Sequence, residues 1–180
     1  MPTVEYKVTV RTRKDGKQTI EWRLGRKFHR EGGPAIVYPD GREEWYIDGK
    51  LHREGGPAVI TPDGREQWNL NGKLHREDGP ALILSDREVW YLNGVVHRED
   101  GPAVTFSNGA KGWFRHGKYH REDGPAAILW NGDTHWYLDG NPFKEDEFHK
   151  EIARRRNIVQ ELTVAEIGNR LGHEIKVVKE

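Results

Sequence analysis

Tryptophan recurs at Trp22, Trp45, Trp68, Trp90, Trp113 and Trp136, at intervals of 23, 23, 22, 23 and 23 residues. Seven residues after each of the first five stands a histidine: His29, His52, His75, His97 and His120. Each histidine opens the run His-Arg-Glu, then Gly or Asp, then Gly-Pro-Ala, and after Trp136 the histidine position is held by Phe143. Self-similarity at a fixed period in this range marks a solenoid, propeller or array, because one such unit cannot bury its apolar face alone. The chain therefore reads as one domain grown by repetition. Residues 1–21 form an N-terminal capping hairpin, 22–146 the repeat array, and 147–180 a helical cap ending in a short strand.

Two sets of turn signals alternate along the array. One follows the tryptophan strand, at Asp48-Gly49, Asn71-Gly72, Asn93-Gly94 and Asp139-Gly140. The other closes the Ala-Val-Ile strand, at Asp40-Gly41, Asp63-Gly64, Asn108-Gly109 and Asn131-Gly132. Such dipeptides between apolar runs signal two-residue hairpins whose central residues both need positive φ. The shortened interval falls at Ser85-Asp86-Arg87, where the second turn has no glycine. Gly-Pro, which weakens a ladder, is expected as a kink within one long descending strand. The expectation is an all-β, open antiparallel meander with two strands per repeat and about a dozen strands in all.

A two-residue turn at Asp48-Gly49 sets Ile47 against Lys50, Tyr46 against Leu51 and Trp45 against His52. Indole and imidazole then stack on one face, with the Tyr/Leu pair on the other. Phe143 opposite Trp136 fits that reading, since a flat apolar ring replaces the imidazole. At the N-terminus, Val4 to Thr12 and Thr19 to Leu24 flank the Asp15-Gly16 turn signal. Beyond Phe143 the pattern changes. Lys144 to Arg156 carries Phe148, Ile152 and Ala153 at helical spacing, and Thr163-Val-Ala-Glu166 has the form of a capping box opening a second helix that Gly172 would end. His173 to Lys179 alternates as a last strand.

These residues resemble the MORN family, whose unit Trp-x-x-Asn-Gly-Lys-x-His is matched at a similar period over residues 22 to about 146. The likeness is to a variant, since His-Arg-Glu-Asp-Gly-Pro-Ala stands where that family has His-Gly-x-Gly. It extends to MORN-related repeats of bacterial antitoxin-like proteins and of phage and large-virus proteins. The resemblance implies an elongated sheet of β-hairpins, roles in protein association and sometimes lipid contact, and no shared catalytic residue. It also implies, by analogy, an inhibitor or neutraliser of a host or toxin protein.

Composition narrows the partners. Lys+Arg and Asp+Glu number 29 each, so no global field draws nucleic acid or an anionic membrane. The absence of cysteine removes disulfides and thiolate metal sites. Met1 to Lys7 lacks the apolar core of a signal peptide, and a cytoplasmic location is the expectation. Equivalent histidines two strands apart would lie roughly 9.5 Å from one another, too far to share a zinc ion held at about 2.0 to 2.2 Å. No phosphate loop or metalloprotease signature is present, and a repeat sets like groups in rows. Neither catalytic residue, metal nor cofactor is expected. The expected partner is a protein, met by the aromatic column Tyr46, Tyr91, Phe114 and Tyr137 and by the arginine column Arg53, Arg76, Arg98 and Arg121. The alternatives are a homo-oligomeric scaffold, a membrane-surface component and, last, a nucleic-acid binder.

Overall fold

The computed structural model describes residues 5–171. Lys7–Thr12 and Gln18–Leu24 pair antiparallel, with Val8 opposite Trp22 and Val10 opposite Ile20. They open one 14-stranded antiparallel sheet that runs down the chain to Asn141–Phe143. Its inner members are short, for example Ile36–Val37, Glu43–Glu44, Val59–Ile60 and Glu66–Gln67, and they follow one another in sequence order. The architecture is the open meander that the repeat period implies.

The meander is only half of each repeat. At the tryptophan the strand changes partner: Glu43–Glu44 pairs with Val59–Ile60, whereas Tyr46–Ile47 folds back on Lys50–Leu51 as a separate hairpin. The Trp45 N–H donates to Ala58, and the Trp45 carbonyl accepts from His52. A second row of such hairpins results, at Asn69–Leu70/Lys73–Leu74, Tyr91–Leu92/Val95–Val96 and Phe114–Arg115/Lys118–Tyr119. Neighbouring hairpins are tied by backbone bonds, as from Gly72 to Leu51 and from Arg53 to Asn69. The expected long strand kinked at Gly-Pro is therefore corrected. The segment from His52 to Ala58 is a loop carrying the chain from one row to the other, because proline cannot donate to a ladder.

The two turn sets also differ. At the hairpin tips both central residues have positive φ, 52° at Asn71 and 84° at Gly72, and His116-Gly117 fills the same role at 51° and 77°. In the second set only the glycine does, as Gly41 at 90°. There Gly41 N–H bonds Tyr38 and Tyr38 N–H bonds Arg42, which is a four-residue turn with glycine in the left-handed bulge position. Pro39 and Pro62 fit the second position of that turn, where φ near −65° is wanted.

The register makes a row in which large and small residues alternate. Because Glu44 lies opposite both Ile36 and Val59, Trp45 stands between Ala35 and Ala58, and the order continues as Trp68, Ala81, Trp90, Ala103, Trp113, Ala126 and Trp136. Ala35, Ala58, Ala81, Ala103 and Ala126 are each fully buried. Indoles two strands apart leave a slot of roughly 9.5 Å that an alanine methyl does not fill. Something planar must enter it.

The array ends on a helix, Glu145–Leu171, with Glu145, Asp146 and Glu147 complementing its N-terminal dipole. Phe148 and Ile152 bury against Leu138, with Trp136 and Phe143 beside them. The helix runs unbroken through Thr163–Glu166, so the expected second start is corrected. A capping box marks a start only where the preceding residues leave helical geometry, and no proline lies between residues 145 and 171 to force that. Gly172 and the strand expected at His173 to Lys179 lie outside the described residues. Among the described residues no helix is long and apolar enough to cross a membrane.

Candidate functional site

Each residue of the motif has a structural partner. The slot over each indole takes the arginine of the same repeat: Arg30, Arg53, Arg76, Arg98 and Arg121 lie 3.9, 3.8, 3.8, 3.9 and 4.1 Å from the ring centres of Trp22, Trp45, Trp68, Trp90 and Trp113. A guanidinium over an indole combines charge–quadrupole attraction with flat stacking, worth about 0.5–2 kcal/mol. The arginine is held from its rim as well. Arg76 donates to the Pro80 carbonyl at 3.4 Å and to Asp78 at 2.9 Å, and Arg98 and Arg121 repeat both contacts. The glycine before the proline of Gly-Gly-Pro or Asp-Gly-Pro makes room for this, since a Cβ at Gly79 would stand 2.5 Å from Arg76 Cζ. The expected cross-hairpin stack of imidazole on indole is corrected on this point: the backbones pair as read, but the guanidinium takes the ring face.

The imidazoles turn to the next repeat. Nδ1 of His29, His52, His75, His97 and His120 accepts the backbone N–H of Asp48, Asn71, Asn93, His116 and Asp139 at 3.0–3.1 Å. Those donors are the left-handed residues of the following hairpin tip, whose N–H groups the ladder itself leaves unmatched. At His29 and His120 the Nδ1 also lies 3.1 and 2.9 Å from the Asp48 and Asp139 carboxylates, and wherever Nδ1 accepts, the donor of the ring is Nε2. That side faces the glutamate two residues on, at 3.9, 3.9, 3.7, 3.7 and 3.3 Å for Glu31, Glu54, Glu77, Glu99 and Glu122. Histidine is thus the clasp between repeats. Its signal in the sequence is the offset of 19 residues, 18 across the shortened repeat, from each histidine to the next Asp, Asn or His before the tip glycine.

The opposite face carries the aromatic column. Tyr46, Tyr91, Phe114 and Tyr137 are all half-buried, but their surroundings differ along the array. Near the N-terminus buried Glu44 collects Arg42, Tyr38 and Tyr46 in one polar network. Burial, and then the Glu44 charge, push the Tyr46 hydroxyl up to about 12. Toward the C-terminus the column position of Glu44 is Gly112, and aromatic rings close over it: a Cβ there would meet Phe114 at 2.8 Å and Tyr119 at 3.3 Å. Phe114 and Tyr119 lie 4.0 Å apart, and Tyr119 stacks on Tyr137 at 5.1 Å. Tyr119 is 37% exposed and Leu129 38%, and Trp130, in the turn from Leu129 to Asp133, is 72% exposed.

The residues expected to meet a partner therefore divide. The structure gathers half-buried Phe114 and Tyr137 in one cluster with the partly exposed Tyr119, leaves Tyr46 in a polar network, and places Arg53, Arg76, Arg98 and Arg121 over the indoles on the other side. Trp130 was not expected as a site residue, and only its exposure singles it out; Tyr119 stands opposite Phe114 across the hairpin. Loop charges beside the arginines line open grooves, the largest described enclosing about 680 Å³ between the Glu99 and Glu122 loops. Among the described residues no three His, Asp or Glu side chains converge as a metal ion would require. No family model matches the chain, and no curated protein matches it.

Proposed function

We propose that the chain is a non-enzymatic protein-binding module, a variant MORN-like array whose partner sits on the Phe114, Tyr119 and Tyr137 cluster. The observation that carries this is the contrast along one face: the same column is tied into hydrogen bonds at Glu44 but ends in stacked, partly open rings around Gly112. Aromatic anchors of this kind dominate protein interfaces, since they offer large area at little entropic cost. The repeat arranges its ionisable side chains in columns, which supports binding over catalysis. The resemblance to phage and antitoxin-like repeats favours an inhibitor or neutraliser of a host or toxin protein, encoded by a phage or mobile element and acting in the cytoplasm.

A second reading, a homo-oligomeric scaffold, is favoured by one feature. Lys7–Thr12 ends the sheet as an edge strand with Val8 and Val10 each about half exposed, at 51% and 52%, and open edges recruit other strands. An affinity capture run in parallel on the wild type and on Phe114→Ser with Tyr137→Ser separates these readings. A protein retained by the wild type and lost by the folded variant supports the module. Equal capture by both, or a large assembly without a second protein, contradicts it.

A further inference from the structure

The two ends of the sheet are finished differently. At the C-terminal end the last strand, Asn141–Phe143, is three residues long, carries Pro142, which has no N–H to offer, and leads into the helix whose Phe148 and Ile152 bury against Leu138. At the N-terminal end Lys7–Thr12 is six residues long, holds neither proline nor glycine, and among the described residues pairs only with Gln18–Leu24. Neighbouring bonds fix the direction of its backbone groups. Trp22 N–H donates to Ala35 and Arg13 N–H to Lys17, so in the alternating antiparallel pattern Lys7, Thr9 and Arg11 bond Gln18–Leu24, while Tyr6, Val8 and Val10 turn their N–H and C=O groups outward. We propose that this edge takes a second copy of the chain, the two Lys7–Thr12 strands pairing antiparallel about a two-fold axis at Val8 to make a closed dimer. The dimer rests on the open edge that favours the scaffold reading, narrowed to one pairing, and it leaves the Phe114, Tyr119 and Tyr137 cluster free for another protein.

Side chains choose the register. A two-fold pairing is self-complementary, and an axis between two residues would set outward groups against inward ones. An axis at Val8 sets Val8 against its counterpart, Tyr6 against Val10, Lys7 against Thr9 and Glu5 against Arg11 of the second copy. Val8 and Val10 lie opposite Trp22 and Ile20 on one face, and Tyr6, two residues before Val8, joins them there, so the seam carries an unbroken apolar run. Tyr6 is held on its own copy by Glu31, whose N–H donates to the Tyr6 hydroxyl at 3.3 Å. On the other face Arg11, 3.2 Å from Glu21 with its side chain 66% exposed, gains a second carboxylate. Shifted axes lose this match: one at Lys7 opposes Lys7 to itself, one at Thr9 opposes Lys7 to Arg11, and one at Val10 opposes Lys7 to Arg13. Like charges directly opposite destabilise a sheet. Pairing occupies the long edge of each copy while the Pro142 end stays blunt, so growth stops at two.

Sedimentation velocity on the whole chain in the micromolar range should show a dimer and no higher species. Val8→Pro should give a monomer with the wild-type circular dichroism spectrum and melting temperature, because the Val8 N–H makes no bond within its own copy. Glu5→Lys, which sets like charges on Arg11 at both ends of the seam, should weaken the dimer about tenfold. The chain has no cysteine, so single cysteines read the register. Paired Cα atoms about 5.5 Å apart accept a disulfide, and Val8→Cys should cross-link to its own copy on mild oxidation, whereas Val10→Cys, held roughly 14 Å from its counterpart, should not. Phe114→Ser with Tyr137→Ser should dimerise like the wild type, so loss of the dimer and loss of a captured protein are separate results. A monomeric wild type, a polymer, a Val8→Pro chain that still dimerises, or equal cross-linking at Val8 and Val10 would overturn the proposal.

Discussion

The first five repeats and the sixth solve the same packing problem with different parts. In the Trp68 repeat the indole is covered from within by Arg76, and His75 reaches forward to the next tip. In the Trp136 repeat both positions have changed, to Phe143 and Lys144. There the indole meets Phe148 of the C-terminal helix, ring centres 4.8 Å apart, over a core of Leu138, Phe148 and Ile152. An inner repeat covers its own ring and hands a polar acceptor onward. The last has no successor, so an apolar pair replaces the clasp and a helix replaces the arginine. Termination of the array is written in those two substitutions.

The contrast is broken most severely at the cap. Phe148→Ala removes the largest fully buried side chain among the described residues and should cost about 3–5 kcal/mol, read as a lower denaturant midpoint, with exchange rising first around Trp136. Within the array Arg76→Ala should cost about 1–2 kcal/mol through the lost stack and the unpaired Pro80 carbonyl, whereas Lys144→Ala should leave the melting temperature unchanged. Gly79→Ala tests the same slot from below and should cost about 1 kcal/mol, falling toward zero in the Arg76→Ala background, as a double-mutant cycle would show.

The smallest effect is electrostatic. Burial raises the Asp139 pKa, but the Arg115 hydrogen bond, the His120 charge and the Arg155 bond together outweigh it, and the carboxyl sits below its ordinary value. A depressed carboxylate contributes stability that is present above the unfolded pKa, about 3.9, and is lost as pH falls through the folded one. Helix docking through the Arg155–Asp139 pair should therefore weaken at acid pH, and Asp139→Asn should flatten that dependence.

The sheet order, the Tyr46–Leu51 pairing and the Trp136–Phe143 pairing all follow from period and turn spacing, because the strand period and tip length leave one register. What covers each indole does not follow. Cross-strand pairing says which backbones are neighbours, while Arg76 and His75 are adjacent and only their side-chain directions decide which enters the slot. His116 at a left-handed tip position is likewise hidden, since the ordinary signal there is Asn or Asp. The aromatic site was half readable: Phe114, Tyr119 and Tyr137 follow from the period and the hairpin pairing, but that their rings close together depends on Gly112, which leaves the space that side chains fill in other repeats.

Proton–proton contacts at Trp68 bear most directly on the packing that unites the repeats. A NOESY spectrum should show the Trp68 ring protons close to the Arg76 side chain, with the Arg76 δ protons shifted upfield by the indole ring current. Contacts from Trp68 to the His75 ring instead, with Arg76 δ protons at their random-coil position, would contradict it.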